Sequence, residues 1–202
     1  MISLIVPVRG EAPGSLDRLS ALARDEDCEL CLAGGEGSRG ARLARAAAEA
    51  RGDVFFFLHA DSVPPDGAIE LIRRALDGGA DAGAFSLAYE GGGRAMRWIA
   101  WWANRRSRTW KLPFGDQGIF CRRRTYERTG GFRDLPVCDD LDFVLRLRRA
   151  GRFVIRPEKT RTSPRRYVEV GVLRQVLRNW RVMAGYFAGA APEKLARWYE
   201  GR

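Results

Sequence analysis

Long apolar runs, lysine and histidine are scarce in this 202-residue sequence. No window approaches the roughly 20 consecutive apolar residues that a spanning helix needs. The longest uncharged C-terminal stretch, Val182 to Pro192, is about half that, so a membrane-crossing chain is excluded. A basic leader is also missing. The apolar run begins at once and meets Pro7, which reads as a strand and not as a secretory signal, and a cytoplasmic location is the expectation. Neither internal repeats nor low-complexity linkers break the sequence, and at roughly 150 residues per domain the length fits a single domain over 1–202. Cysteine is limited to Cys28, Cys31, Cys121 and Cys138. The first two form a CxxC in a segment that reads as a strand, where positions three apart face opposite sides and cannot grip one ion. All four read as core residues.

What the sequence has in excess is arginine. Lys+Arg 35 against Asp+Glu 25 gives a net charge of +10, and only Lys111, Lys159 and Lys194 are lysines. The planar guanidinium fork suits phosphate and carboxylate, so the partners expected are nucleotides, polyphosphates, nucleic acid or an anionic membrane surface. Carboxylates are interspersed with the arginines along the chain, which argues against a module that only binds nucleic acid or an anionic membrane. A basic nucleic-acid- or membrane-binding module without catalysis is the alternative to an enzyme.

Hydrophobic patterning predicts an α/β order. Residues 2–8 form a β-branched strand, and Ser15–Arg24 carry Leu16, Leu19 and Leu22 at helical spacing. A strand over 28–33, an alanine-rich helix over 40–50 and a strand over 54–58 follow. The last has no polar alternation, the mark of a strand buried on both faces of a mostly parallel sheet. Pro64 and Pro65 end it and open a helix over 66–76, closed by Gly78 and Gly79. Beyond residue 80 the pattern predicts a strand over 82–89, a tryptophan-bearing helix over 94–110, a strand over 118–121, a helix opened by Asp139 and Asp140, a short strand over 152–156 and a long helix over 168–199. In the last helix Leu173, Val176, Leu177, Trp180, Ala184 and Phe187 form one apolar stripe, expected to pack on the domain.

In an open α/β sheet, ligands bind outside the carboxyl ends of the strands. The first strand is followed by Arg9 and Glu11, the second by the loop GGEGSRG with Arg39 and Arg42 beyond it, the third by His59, Asp61 and Ser62. Converging, they make a pocket of arginines, backbone amides and one strand-end carboxylate, a set that fits a nucleoside diphosphate with a divalent cation. Residues 35–40 also satisfy G-x-G-x-x-G, with Asp61 about 20 residues further on, as in a Rossmann dinucleotide site of an oxidoreductase. Against that reading, the match follows the second strand and not the first.

The segments PVRGE (7–11), SRG (38–40), GDVFFFLHADSVPPDGAIELI (52–72), LPFGDQGIFCRR (112–123), GGFRDLPVCDDLDFVLRLRRAGR (130–152) and TSPRRY (162–167) resemble, in order, the motifs of family 2 glycosyltransferases. The similarity is nearest to the small bacterial branch labelled arsenosugar-biosynthesis glycosyltransferases. The resemblance implies a GT-A fold, with a nucleotide-sugar half over 1–80, an acceptor half over 81–160 and a C-terminal helical segment over 161–202. It implies a UDP or GDP sugar as donor, held by Pro7, Arg9, Glu11, Arg39, Arg42, His59, Ala60 and Asp61. His59-Ala60-Asp61 stands in place of the family's D-x-D, making Asp61 the ligand of Mg²⁺ or Mn²⁺. Asp139-Asp140 stands where the family has Glu-Asp, with Asp140 as general base in an inverting transfer.

Gly115, Asp116 and Gln117 fall, by the same resemblance, at the acceptor, a small or lipid-linked hydroxyl compound, and Arg165 and Arg166 at the phosphates. Trp101, Trp102 and Trp110 offer stacking surfaces for an acceptor, but aromatic residues at helical spacing are more often core, and they are read as core. Two departures stand out. Ala33-Gly34-Gly35 replaces an Asp-Gly-Gly or Asp-Gly-Ser turn whose Asp reads the nucleobase, and Q-x-x-R-W is absent, which speaks against processive polymer synthesis. Independently of the family, adjacent Asp139 and Asp140 repel, which raises the apparent pKa of one. Caps for the helix they open are the plain structural alternative. The amphipathic C-terminal stretch also admits a peripheral contact with the inner face of a membrane.

Overall fold

A computed structural model describes residues 1–8, 19–20, 23 and 27–201. The predicted Ser15–Arg24 helix, Arg9 and Glu11 lie outside the described residues, apart from the helical pair Leu19 and Ser20 and the turn residue Ala23. Seven strands, β1 (Ile2–Pro7), β2 (Cys28–Ala33), β3 (Val54–Phe57), β4 (Ser62–Val63), β5 (Ala82–Tyr89), β6 (Ile119–Arg122) and β7 (Phe153–Thr162), form one sheet in the order β2-β1-β3-β6-β5-β7-β4. β2, β1 and β3 run parallel, as do β5 and β7, while β6 is antiparallel to both its neighbours. The sheet is thus parallel in its first half and mixed beyond it. That order also removes the Rossmann reading: the G-x-G-x-x-G segment follows the edge strand β2, and a central antiparallel strand has no place in a doubly wound dinucleotide fold.

The VFFF run of β3 shows why the sheet is buried on both faces. Phe55 and Phe57 join Leu43, Tyr126, Phe143 and Leu147 on one side. Phe56 joins Leu4, Ile69, Ile72 and Phe85 on the other. Two cores result, one beneath the helices Arg39–Glu49 and Asp139–Ala150, the other beneath Ala68–Asp77. Each fully buried Phe or Ile contributes roughly 1.5–3 kcal/mol by removal from water. Cys28 and Cys121 are buried, and none of the four cysteines is in a disulfide.

Two elements differ from the sequence expectation. β7 runs past the predicted end at residue 156 to Thr162, crossing Pro157, because the ladder with β5 is irregular between Ala84 and Ser86. A proline without an N–H is tolerated at such an irregularity. The predicted 168–199 helix is three helices, Arg165–Val170, Val172–Phe187 and Pro192–Glu200. Gly171 (φ 91) breaks the first join and Gly189 (φ 75) precedes Pro192 at the second.

Candidate functional site

The chain leaving β3 crosses the sheet to reach β4, which pairs with β7 at the far edge through Ser62 and Thr162. His59, Ala60 and Asp61 ride on that crossing. They line a cleft of about 1130 Å³ together with Pro7, Arg39 and Arg42 from the first half of the chain and Asp116, Asp139 and Asp140 from the second. Arg165, Arg166 and Tyr199 from the C-terminal helices complete one wall. Asp61 and Asp140 therefore share one cleft, and Asp61 is exposed in it with no hydrogen-bond or ion-pair partner among the described residues.

The acidic pair is set by a strained helix start. Cys138, the N-cap of Asp139–Ala150, takes a left-handed conformation (φ 61, ψ 19) that costs a non-glycine residue of order 1 kcal/mol. The following carboxylates then diverge. Asp139 is buried and accepts two hydrogen bonds from Arg39, Nη2 to Oδ1 at 2.6 Å and Nε to Oδ2 at 2.8 Å. Asp140 accepts from the amides of Gly115 at 2.9 Å and Leu141 at 2.8 Å, with Arg39 Nη2 3.4 Å away. Burial works against the charge of Asp140, but Arg39 and these amides outweigh it and hold the carboxyl below its usual range. Burial pushes the Asp139 carboxyl up, against the opposing pull of Arg39. Asp140 is therefore ionised across the neutral range, and the raised pKa expected of one acid of the pair falls on Asp139, chiefly through burial and only secondarily through its neighbour's charge.

Arg39 also donates from Nη1 to His59 Nε2 at 2.8 Å, which assigns that nitrogen as an acceptor. Burial first, and then the Arg39 charge, hold the His59 pKa down to about 4, so the ring is neutral near pH 7. Gly115 fits here because it has no side chain: a Cβ would lie 2.5 Å from His59 Nε2 and 3.3 Å from Asp140 Oδ2.

Around Asp116 the cleft contains a second polar group. Burial pushes the Asp116 carboxyl up to about 6, and its Oδ1 is shut from solvent without a hydrogen-bond partner. Arg106 lies nearby, its guanidinium 3.7 Å over the Phe114 ring and its Nε donating to the Leu112 carbonyl at 3.0 Å. Tyr89 and Tyr167 meet edge to face at 5.6 Å on the same wall. The sequence reading missed Arg106, Tyr89, Tyr167 and Tyr199. For Arg106 a signal existed: Trp102, Arg106 and Trp110 are spaced four apart on one helix face, and all three line the cleft.

Gln117, expected at the acceptor, faces inward instead. It is fully buried, its amide nitrogen donates to the Phe85 carbonyl at 2.9 Å and its oxygen accepts from Ser107 at 2.8 Å and from the Phe114 amide at 3.3 Å. Its place is to hold the Gly115–Gln117 turn. Arg42 is buried and donates to the Val8 carbonyl at 2.8 Å, at the floor of the cleft. Arg166 donates to Tyr199 Oη at 2.6 Å. Arg165 stands exposed beside Glu169 at 3.5 Å.

Neither a family model nor a curated protein sequence matches the chain. Solved structures do. S. aureus TarS residues 1–349 in complex with UDP superposes with a TM-score of 0.58 at 13% identity, covering 84% of this chain and 62% of that one. The mannosyltransferase PcManGT from Pyrobaculum calidifontis, in complex with GDP-Man and Mn²⁺, gives 0.56 at 16% identity, covering 79% and 56%. Glucosyl-3-phosphoglycerate synthase from Mycobacterium tuberculosis, in complex with phosphoglyceric acid, gives 0.53 at 16%, covering 88% and 77%. The fold is theirs. It is the GT-A arrangement, a curled mixed sheet between helices, and the chain spans less than two thirds of the TarS and PcManGT chains.

Proposed function

We propose that this protein is an inverting glycosyltransferase that moves a sugar from a nucleoside diphosphate donor to a hydroxyl acceptor, using a divalent cation. The observation that carries the reading is the convergence of Asp61 and Asp140, remote in sequence, on one cleft of a GT-A fold. The neighbours' bound UDP and GDP-Man support a nucleotide-sugar donor, and the motif order supports the arsenosugar-biosynthesis-like branch.

The donor set fits a shared cation. Among the described residues no three His, Cys, Asp or Glu side chains cluster as a protein-only metal site. Mg²⁺ and Mn²⁺ are commonly held by one or two carboxylates, with phosphate oxygens and water completing the shell. Asp61, exposed and without a partner in the cleft, offers that single carboxylate. A cation there, when bound, supplies charge compensation at the departing diphosphate. His59 Nε2 is engaged by Arg39 and is not available to it.

The residues of this chain divide the rest of the work. Asp140 accepts the proton of the acceptor hydroxyl while that oxygen bonds to the anomeric carbon and the bond to the diphosphate breaks. Its two amide donors fix the orientation of the carboxylate before the acceptor arrives. Asp139 and Arg39 hold the helix start beneath it, and Arg165 and Arg166 face the donor's phosphates from the C-terminal wall. Asp116 accepts hydrogen bonds from acceptor hydroxyls. Calorimetric titration of UDP and GDP with and without Mn²⁺ tests the proposal: metal-dependent binding is expected, weakened at least about tenfold in Asp61→Ala. Binding of neither nucleotide, or binding indifferent to both manganese and Asp61, overturns it.

A further inference from the structure

Two helices that wall the cleft leave large apolar side chains in water. On Gly93–Trp110, Trp98, Trp101 and Trp110 are exposed, Trp101 at 56%, with Trp101 stacked on Trp102 at 5.6 Å. On Val172–Phe187, Leu173 is 72% exposed and Leu177 60%, followed along the same stripe by Trp180 and Phe187. Side chains that the periodicity assigned to the core are therefore exposed: Trp101, Leu173, Leu177 and Phe187 face outward, beside Trp98, Trp102, Trp110 and Trp180, which line the cleft. The residues that this second helix buries are Gln175, Val182 and Gly185.

The charge on these helices is of one sign. Residues 91–115 contain Arg94, Arg97, Arg105, Arg106, Arg108 and Lys111 and not a single acid. Residues 170–192 contain Arg174, Arg178 and Arg181, again with no acid. Along the chain as a whole carboxylates alternate with arginines, but on these two helices only Arg106, beside Asp116 in the cleft, faces an acid closely; the other basic side chains just named are in no ion pair among the described residues. A partner must therefore accept apolar side chains and present negative charge together. Indoles settle at the headgroup level of a bilayer, aliphatic side chains enter the acyl boundary, and arginines pair with anionic headgroups. The indoles alone would also suit stacked bases, but the exposed Leu173 and Leu177 find no partner on a single-stranded nucleic acid, whereas a bilayer takes both.

We propose that the exposed faces of Gly93–Trp110 and Val172–Phe187 form a docking surface for an anionic lipid bilayer, holding the side of the cleft against the headgroups. No helix among the described residues is long and apolar enough to cross a membrane, so the contact is peripheral. Two such faces supply the apolar and the electrostatic signals that together make interfacial binding stable.

Co-sedimentation of the full chain with vesicles tests the surface. Phosphatidylcholine vesicles containing phosphatidylglycerol are compared with phosphatidylcholine alone, at low and at high salt. Binding to the anionic vesicles is expected to exceed binding to the neutral ones at least about tenfold, and to fall as salt rises. The triple variant Trp101→Ser/Leu173→Ser/Leu177→Ser changes only exposed side chains that do not line the cleft. It should lose at least about tenfold in vesicle binding while its affinity for UDP with Mn²⁺ stays within about twofold of the parent's. Protein that remains in the supernatant, a triple variant that sediments like the parent, or retention on polyuridylic acid in place of vesicles overturns the proposal. Vesicle binding by a parent that ignores UDP would leave this surface standing and remove the transferase reading alone.

Discussion

At Asp140 two amide donors and an arginine keep a carboxylate charged inside a cleft, and the proposed role as base depends on that charge. Asp140→Asn keeps the shape but cannot accept a hydroxyl proton. Turnover should fall by about 10²–10⁴ while the Kd for nucleotide stays within about twofold, read from steady-state kinetics beside calorimetry. Full turnover in the variant would assign the proton to another group. Arg39 carries a different weight. Removing it leaves Asp139 buried and unpaired, so Arg39→Ala should cost about 3 kcal/mol in urea unfolding, whereas the apolar double variant Arg39→Met/Asp139→Leu should recover most of it. Equal losses in both variants would mean that the pair is not what holds the helix start. That Asp139 and Asp140 open a helix is plain from the sequence. Their different fates are not, because Arg39 lies 100 positions before Asp139 and nothing local announces the pairing.

Strands and helices show where periodicity suffices and where it misleads. The unbroken apolar run of β3 required burial on both faces, and its alternate phenylalanines do enter separate cores. In β2 the apolar run is interrupted by Glu29, and this acid ties β2 to β1 and to the chain entering β3. It accepts from the Ser3 hydroxyl at 2.6 Å, the Arg51 amide at 2.5 Å and the Arg51 guanidinium at 3.0 Å. Burial opposes its charge, but these bonds prevail and hold the pKa down to about 2, from 4.5. A folded value below the unfolded one means that the contribution is complete above about pH 4.5 and disappears as pH falls towards 2. We expect about 2 kcal/mol of the acid-induced loss of stability to vanish in Glu29→Gln, measured by urea titration at a series of pH values. An unchanged pH dependence would show that Glu29 remains equally ionised when unfolded. In the last third of the chain the helical period is real but uninformative about packing. Leu173, Leu177 and Trp180 share a stripe, and that stripe is turned to solvent.

Across the whole molecule, the position of the cleft follows from strand order. Because the chain leaves β3 and next pairs at β4 on the opposite edge, His59, Ala60 and Asp61 span the sheet's end and reach the territory of Asp116 and Asp140. The two half-sites inferred from strand ends and from the acidic helix start are brought together by this crossing, with tyrosines from β5 and from the C-terminal helices enclosing them.

Composition and periodicity were enough to establish an α/β chain, a doubly buried β3, helix boundaries at proline and glycine, and the placing of one acid after a strand and two at a helix start. Those properties arise from interactions between near neighbours, which a linear pattern records. The partner of each charge, the inward turn of Gln117, the recruitment of Arg106 and the outward face of the tryptophan helix were decided only on folding. They depend on which surfaces meet after chain closure over tens of residues, and a side-chain period says which residues share a face without saying what stands opposite it.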